Sequence, residues 1–188
     1  EPYVEKILNL ELKLIADIGL VGLPNAGKST FLTAVSAARP KTADYPFTTL
    51  HPHLGIAELD INRRLIIADI PGLIEGASDG AGLGHRFLKH IERTNVLLHL
   101  IDICPVDGSC PVENYKTIRN ELERYSPELA AKKELVVLNK IDMIPEVDRL
   151  ELMQSIFNGL AIDDALVCSG VSREGVPAVL EACFRIIS

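Results

Sequence analysis

The sequence predicts a three-layer α/β domain: a six-stranded, mostly parallel sheet with one antiparallel edge strand and helices on both faces. Three observations carry this. Short apolar, β-branched runs alternate with segments of helical spacing along most of the 188 residues. Nearly every run is apolar throughout, as expected of strands covered on both sides. One pair of runs, LGIAELD (54–60) and RLIIADI (64–70), flanks only Ile61-Asn62-Arg63, a hairpin turn that supplies the antiparallel strand.

Taken in order, LIADIGLVG (14–22) is the first buried strand, followed by a glycine loop and a helix over 28–38. The hairpin strands come next, then a helical stretch HRFLKHIER (85–93). VLLHLID (96–102), ELVVLNK (134–140) and ALVCS (165–169) complete the six strands. Helical spacing recurs at 113–125, 147–160 and 175–187. In sheets of this kind ligands bind beyond the carboxyl ends of the strands, and each motif below falls just after a strand.

Composition bounds the function. Apolar residues make up 47%, and a chain of this length buries roughly 70% of its unfolded surface, so a sizeable core is expected. The net charge of −7 argues against coating nucleic acid or anionic membrane by charge alone. Four cysteines (Cys104, Cys110, Cys168, Cys183) form no CxxC pair, which points to reduced thiols and a cytoplasmic protein rather than a disulfide frame or zinc site. No apolar run approaches the ~20 residues of a membrane span, so no membrane insertion is expected. The start, EPYVEKILNLELKL, lacks both signal-peptide character and an initiator Met. Residues 1–12 are therefore expected to be a linker from a preceding domain, and 13–188 a single domain.

GLPNAGKST (22–30) matches G-x-x-x-x-G-K-[ST] directly between a strand and a helix. Its glycines let backbone N–H groups turn inward around phosphates, which the helix N-terminus also favours. Lys28 reaches the β- and γ-phosphates in such a loop, and the Ser29 hydroxyl ligates Mg²⁺. Asp69, ending its strand, is a Mg²⁺ partner through water, and Gly72 lets a backbone N–H approach the γ-phosphate. In ADYPFTTLHPHLG (43–55), Thr48 and Thr49 are the candidates for a metal-bound residue that senses the γ-phosphate.

NKID (139–142) carries the base preference. The Asp142 carboxylate can accept two hydrogen bonds from guanine N1–H and the 2-amino group, a donor pair that adenine lacks. The Lys140 stem can lie across the base, and Asn139 can brace either the phosphate loop or the N7 side. After the last strand, Ser169, Gly170 and Val171 can offer backbone N–H groups to the guanine O6. The histidines His51, His53, His90 and His99 do not meet the cysteines at metal-ligand spacing. Lys89, His90 and Arg93 read as a solvated helix face that could also touch rRNA.

In this order the elements resemble a GTPase of the translation-factor-related class. The long stretches GLPNAGKSTFLTAVSAARPKTADYPFTTLHPHLG and DIPGLIEGASDGAGLGHRFLKHIERT, with NKID, resemble the Obg family from about residue 10 to the end. That resemblance implies a G domain whose N-terminal glycine-rich neighbour lies outside this chain. It implies a monomeric role in maturation of the large ribosomal subunit and in growth and stress control, with guanosine tetraphosphate as an effector. By position, Gly22, Leu23, Pro24, Asn25, Ala26, Gly27, Lys28 and Ser29 would hold the phosphates. Phe47, Thr48, Thr49, Leu50 and His51 would form the first switch, with Thr49 joining Ser29 on the metal. Asp69, Ile70, Pro71 and Gly72 would sit at the γ-phosphate. Asn139, Lys140, Ile141, Asp142, Ser169, Gly170 and Val171 would hold the base. The base loop departs from the family's usual Ser-Ala by reading Ser-Gly-Val, which implies looser guanine binding.

Leu73 stands where Ras-like proteins place a water-orienting Gln, as in the hydrophobic-substituted GTPases. The expected catalytic set is therefore Lys28, Thr49, Gly72 and Asn25. Three replacements for the Gln are open: K⁺ held by Asn25, the glycine-rich segment 75–87 with Glu75, Asp79 or His85, or a group supplied by the ribosome. Two functions follow, a slow GTPase switch or a guanine-nucleotide sensor with incidental hydrolysis. An ATP-specific relative is disfavoured by Asp142.

Overall fold

The computed structural model describes residues 16–37, 41–42, 53–69, 94–160 and 165–188. Its strands are β1 (Ile18–Val21), β2 (Lys41–Thr42), β3 (His53–Glu58), β4 (Arg64–Asp69), β5 (Val96–Asp102), β6 (Lys133–Asn139) and β7 (Leu166–Cys168). The helices are α1 (Lys28–Val35), α2 (Pro111–Tyr125), α3 (Pro127–Ala130), α4 (Glu146–Leu160) and α5 (Val176–Ile187), with a 3₁₀ turn at Ile141–Met143. The predicted linker 1–12 and the predicted helix over 85–93 lie outside the described residues.

All six predicted strands are present in one sheet of order β2-β3-β4-β1-β5-β6-β7. The β1, β4, β5, β6 and β7 pairings are parallel, and β3 runs antiparallel to β4. The sheet differs from expectation at one margin: the two-residue β2 pairs outside β3, so β3 is not the edge strand. A two-residue strand has no hydrophobic periodicity, which is why pattern reading does not find it.

Alternation sorts the core into two layers. Leu98 and Leu100 of β5 and Val137 of β6 join Phe31 and Leu32 of α1 and Val179 and Cys183 of α5 on one face. Ile101, Val136 and Leu138 point the other way, toward Tyr115 of α2 and Ile156 of α4. Successive strand residues face opposite sides, so apolar runs such as VLLHLID serve both layers at once.

Local chemistry sets the ends. Asp60 closes the hairpin, its Oδ1 accepting from the Asn62 and Arg63 amides at 2.9 and 3.0 Å. Helix α1 stops three residues short of the sequence expectation, at Val35. The Ser36 hydroxyl bonds the Leu32 carbonyl at 2.7 Å, while Ser36 adopts an extended backbone and bridges to Ala57. Pro111 opens α2, where its missing N–H costs nothing.

Candidate nucleotide site

The register brings the strand ends to one rim. Asp69 ends β4 opposite Leu20, and Asp102, Asn139 and Cys168 lie side by side across β5, β6 and β7. The loop from Gly22 to Gly27 leaves β1 at this rim and delivers Lys28 and Ser29 to the first turn of α1.

Two loop glycines are required by geometry. Gly22 has φ +145°, and a Cβ there would stand 2.4 Å from the Leu100 carbonyl oxygen. Gly27 has φ +92°, and its Cβ would stand 2.3 Å from Asn139 Nδ2. Between them Asn25 also takes a left-handed backbone, φ +65°. Its side chain is exposed and has no hydrogen-bond partner among the described residues.

Lys28 folds over the loop, donating from Nζ to the carbonyls of Gly22 at 2.8 Å and Leu23 at 2.9 Å. Burial lowers its pKa, against the nearby Asp69 carboxylate, which raises it. The Ser29 hydroxyl donates to Asp69 Oδ2 at 2.6 Å. Asp69 is 4% exposed, and its Oδ1 is buried with no hydrogen-bond partner among the described residues. A hydroxyl beside a carboxylate with a spare buried oxygen fits a hard divalent cation and its waters.

Asn139, 2% exposed, ties the site together. Its Nδ2 donates to the Ala26 carbonyl at 2.8 Å, and its Oδ1 accepts from the Gly170 amide at 3.1 Å. Of the two roles open in the sequence, the side chain takes that of loop brace. Lys140, φ +72°, reaches Asp102 Oδ2 at 2.6 Å, and Asp102 Oδ1 accepts the Cys104 amide at 2.9 Å. Sequence reading missed Asp102. The signal available was its place at the end of VLLHLID, matching that of Asp69 in RLIIAD.

Ile141 is buried under the 3₁₀ turn and Asp142 is exposed on it. Burial, and then the Asp142 carboxylate, push the Cys168 thiol at the end of β7 up to about 12. In the loop after β7 the Ser169 amide donates to Glu174 O at 2.9 Å and the Gly170 amide to Asn139. The Val171 amide makes a longer bond, 3.2 Å, to Ser169 Oγ. In this structure two of the three amides read as donors to guanine are thus engaged with residues outside the Ser169–Val171 stretch. A cavity of about 510 Å³ joins Ser29, Thr30 and Thr33 of α1 to Gly170, Val171 and Arg173.

Phe47, Thr48, Thr49, Leu50, His51, Ile70, Pro71 and Gly72 lie outside the described residues, as do Leu73, the segment 75–87, Lys89, His90 and Arg93. His99 is buried, with Nδ1 2.7 Å from Glu134, and no group of potential metal ligands occurs among the described residues.

Residues 17–140 match the family described as 50S ribosome-binding GTPase. Over 145 residues the chain is 63% identical to the GTPase Obg of Psychrobacter sp. (strain PRwf-1), covering 77% of this chain and 36% of that protein. The chain belongs to the Obg family of 50S ribosome-binding GTPases. It spans about a third of the length of that Obg relative. Solved structures share the fold of this G domain. A point variant of Aquifex aeolicus Era bound to GDP·AlF4⁻ superposes with a TM-score of 0.67 at 24% identity, over 92% of this chain and 57% of that one. The G domain of the T. maritima FeoB iron transporter gives 0.64 at 19% identity, over 91% and 98%. Strand ends, phosphate loop and Obg kinship therefore agree.

Proposed function

We propose that this G domain binds GTP with Mg²⁺ and hydrolyses it slowly, as a switch in large ribosomal subunit assembly and in growth and stress control. One observation carries the reading: the phosphate loop is gripped on one side by Asp69 through Ser29 and on the other by Asn139 through Ala26. In this reading residues 13–188 form the G domain. The protein works as a cytoplasmic monomer, with the large subunit as partner and guanosine tetraphosphate as an effector. Among the described residues no helix is long and apolar enough to cross a membrane.

The loop from Gly22 to Ser29 holds the phosphates through the backbone N–H groups after Pro24, and Lys28 exchanges its loop carbonyls for phosphate oxygens. Ser29, with Thr49 from the first switch, would ligate Mg²⁺, and Asp69 would hold its waters. When bound, Mg²⁺ neutralises charge on the β- and γ-phosphates. Gly72 brings a backbone N–H to the γ-phosphate. Asp142 selects guanine, Lys140 lies over the base while anchored by Asp102, and Ser169 to Val171 wall its edge.

Leu73 cannot orient water, so the catalytic supplement comes from elsewhere. The exposed Asn25 side chain suits K⁺ coordination, the first of the three replacements. Single-turnover hydrolysis in KCl against NaCl, with ATP as control, tests both levels. Faster GTP turnover in K⁺ that disappears in Asn25→Ala supports the cation. Full K⁺ stimulation in that variant rules Asn25 out. Leu73 also favours the second reading, a nucleotide sensor; barely detectable turnover in both salts, unchanged by ribosomal subunits, would establish it over the switch.

A further inference from the structure

We propose that a cavity of about 440 Å³ beside the phosphate loop is a docking pocket for an arginine side chain of a basic partner protein. The cavity lies between Pro24 and Asn25 at the loop tip, the end of β5, the 105–109 loop and the first turns of α2. It is separate from the groove between α1 and the base loop, and side-chain binding there does not depend on the nucleotide reading.

The chemistry of the walls selects the occupant. Leu23 and Pro105 present apolar surface for a methylene stem. Tyr115 also lines the cavity, with the buried His99 ring packed against it, centroids 4.9 Å apart and tilted by 31°. A planar, weakly hydrated guanidinium stacks on the half-buried Tyr115 ring, whereas a compact ammonium keeps its water. At the mouth, Asp107 is fully exposed, and hydrogen bonds from the Ser109 amide and hydroxyl hold its carboxyl below the usual range, so it is ionised. Asn114 donates its Nδ2 to Ser109 Oγ at 2.8 Å, which leaves its carbonyl oxygen as an acceptor.

Charge points the same way. The described lining residues include Asp102 and Asp107 and no lysine or arginine. Asp102 is already shared with Lys140 at 2.6 Å, so Asp107 carries the attraction. Phosphate groups of RNA would meet the Asp107 carboxylate here. The chain as a whole has a net charge of −7, which steers basic partners toward it. Because Pro24 and Asn25 form one wall, a docked side chain touches the phosphate loop directly.

The test is a ¹⁵N chemical-shift titration of the nucleotide-free domain with a short acetylated peptide holding one arginine. The controls are the same peptide with citrulline, the neutral isostere, and with lysine. The arginine peptide should shift the amides of Asn25 and Ala26 and of residues 106–110 and 112–115, and bind at least fivefold tighter than either control. Asp107→Asn should weaken it at least threefold. That variant should leave thermal melting and GDP affinity, measured separately, unchanged. Equal binding of the citrulline or lysine peptide, shifts confined to other regions, or preferential binding of a single-stranded RNA oligonucleotide at these amides would each overturn the proposal.

Discussion

Asp69 and Asp102 end two strands of the same sheet, each beside a residue of the predicted site, yet they are finished differently. Asp102 is satisfied on both oxygens, by Lys140 and by the Cys104 amide. Asp69 accepts one bond from Ser29 and keeps a buried oxygen without a partner among the described residues. A buried unsatisfied carboxylate oxygen costs on the order of 1–3 kcal/mol unless something arrives to meet it. The contrast separates a brace from a socket. In the proposed reading Asp102 would fix a base-side lysine in advance, and Asp69 would hold the waters of the metal.

Asn139, next to Asp102 on β6, ties the loop at Ala26 to the loop at Gly170, so breaking it should have the largest effect. Asn139→Ala leaves the Ala26 carbonyl and the Gly170 amide without their side-chain partner in a buried setting. The expected loss is about 3 kcal/mol of stability, read as a shifted urea midpoint, together with at least a tenfold fall in GTP affinity. An unchanged midpoint would remove Asn139 from its role as clamp.

Asp69→Asn sharpens the socket. The amide oxygen still accepts from Ser29, but the charge is gone. Stability should hold or rise slightly, while the Mg²⁺-dependent part of GTP affinity drops by at least tenfold in calorimetry run with and without the metal. If Mg²⁺ strengthens binding equally in both proteins, Asp69 is a second brace and the contrast fails.

Asp102→Asn should do the reverse and do less. Loss of a half-buried ion pair costs about 1 kcal/mol, and the Mg²⁺ dependence should be unchanged. GTP affinity should fall a few-fold as Lys140 loses its anchor. A steep change in metal response would mean that Asp102, too, serves the socket.

The smallest effect concerns pH. Burial alone would raise Glu134, but the hydrogen bond and charge of His99, with Arg119 and Tyr115, hold it below its ordinary 4.5. A depressed carboxylate stabilises the fold fully above its unfolded pKa and loses that contribution as pH falls through the folded value. Melting temperature should therefore decline below about pH 4.5, and decline less in Glu134→Gln. Equal slopes in the two proteins would show that Glu134 contributes nothing to acid sensitivity.

Much of the fold is legible because burial on two faces writes itself as continuous apolar runs. VLLHLID is bounded to the residue, while the neighbouring strand and helix limits shift by a few positions. Those shifts trace to side chains that intercept the backbone, such as Ser36 at the end of α1. The phosphate loop is legible because a close approach permits only glycine, and Gly27 marks the spot where Asn139 passes. Asp102 is not legible, since an aspartate after a strand is an ordinary turn former until a partner from another strand reaches it.

The class of fold, the order of the motifs and the kinship with Obg GTPases are written in local composition and spacing, which survive in a string of letters. Three features are not: which of Asn139's two roles is taken, which aspartate is paired on both oxygens, and the cavity that adjoins the phosphate loop. Each of those depends on atoms far apart in the chain meeting within about 3 Å, and the parallel register that brings them together is set by the whole sheet at once.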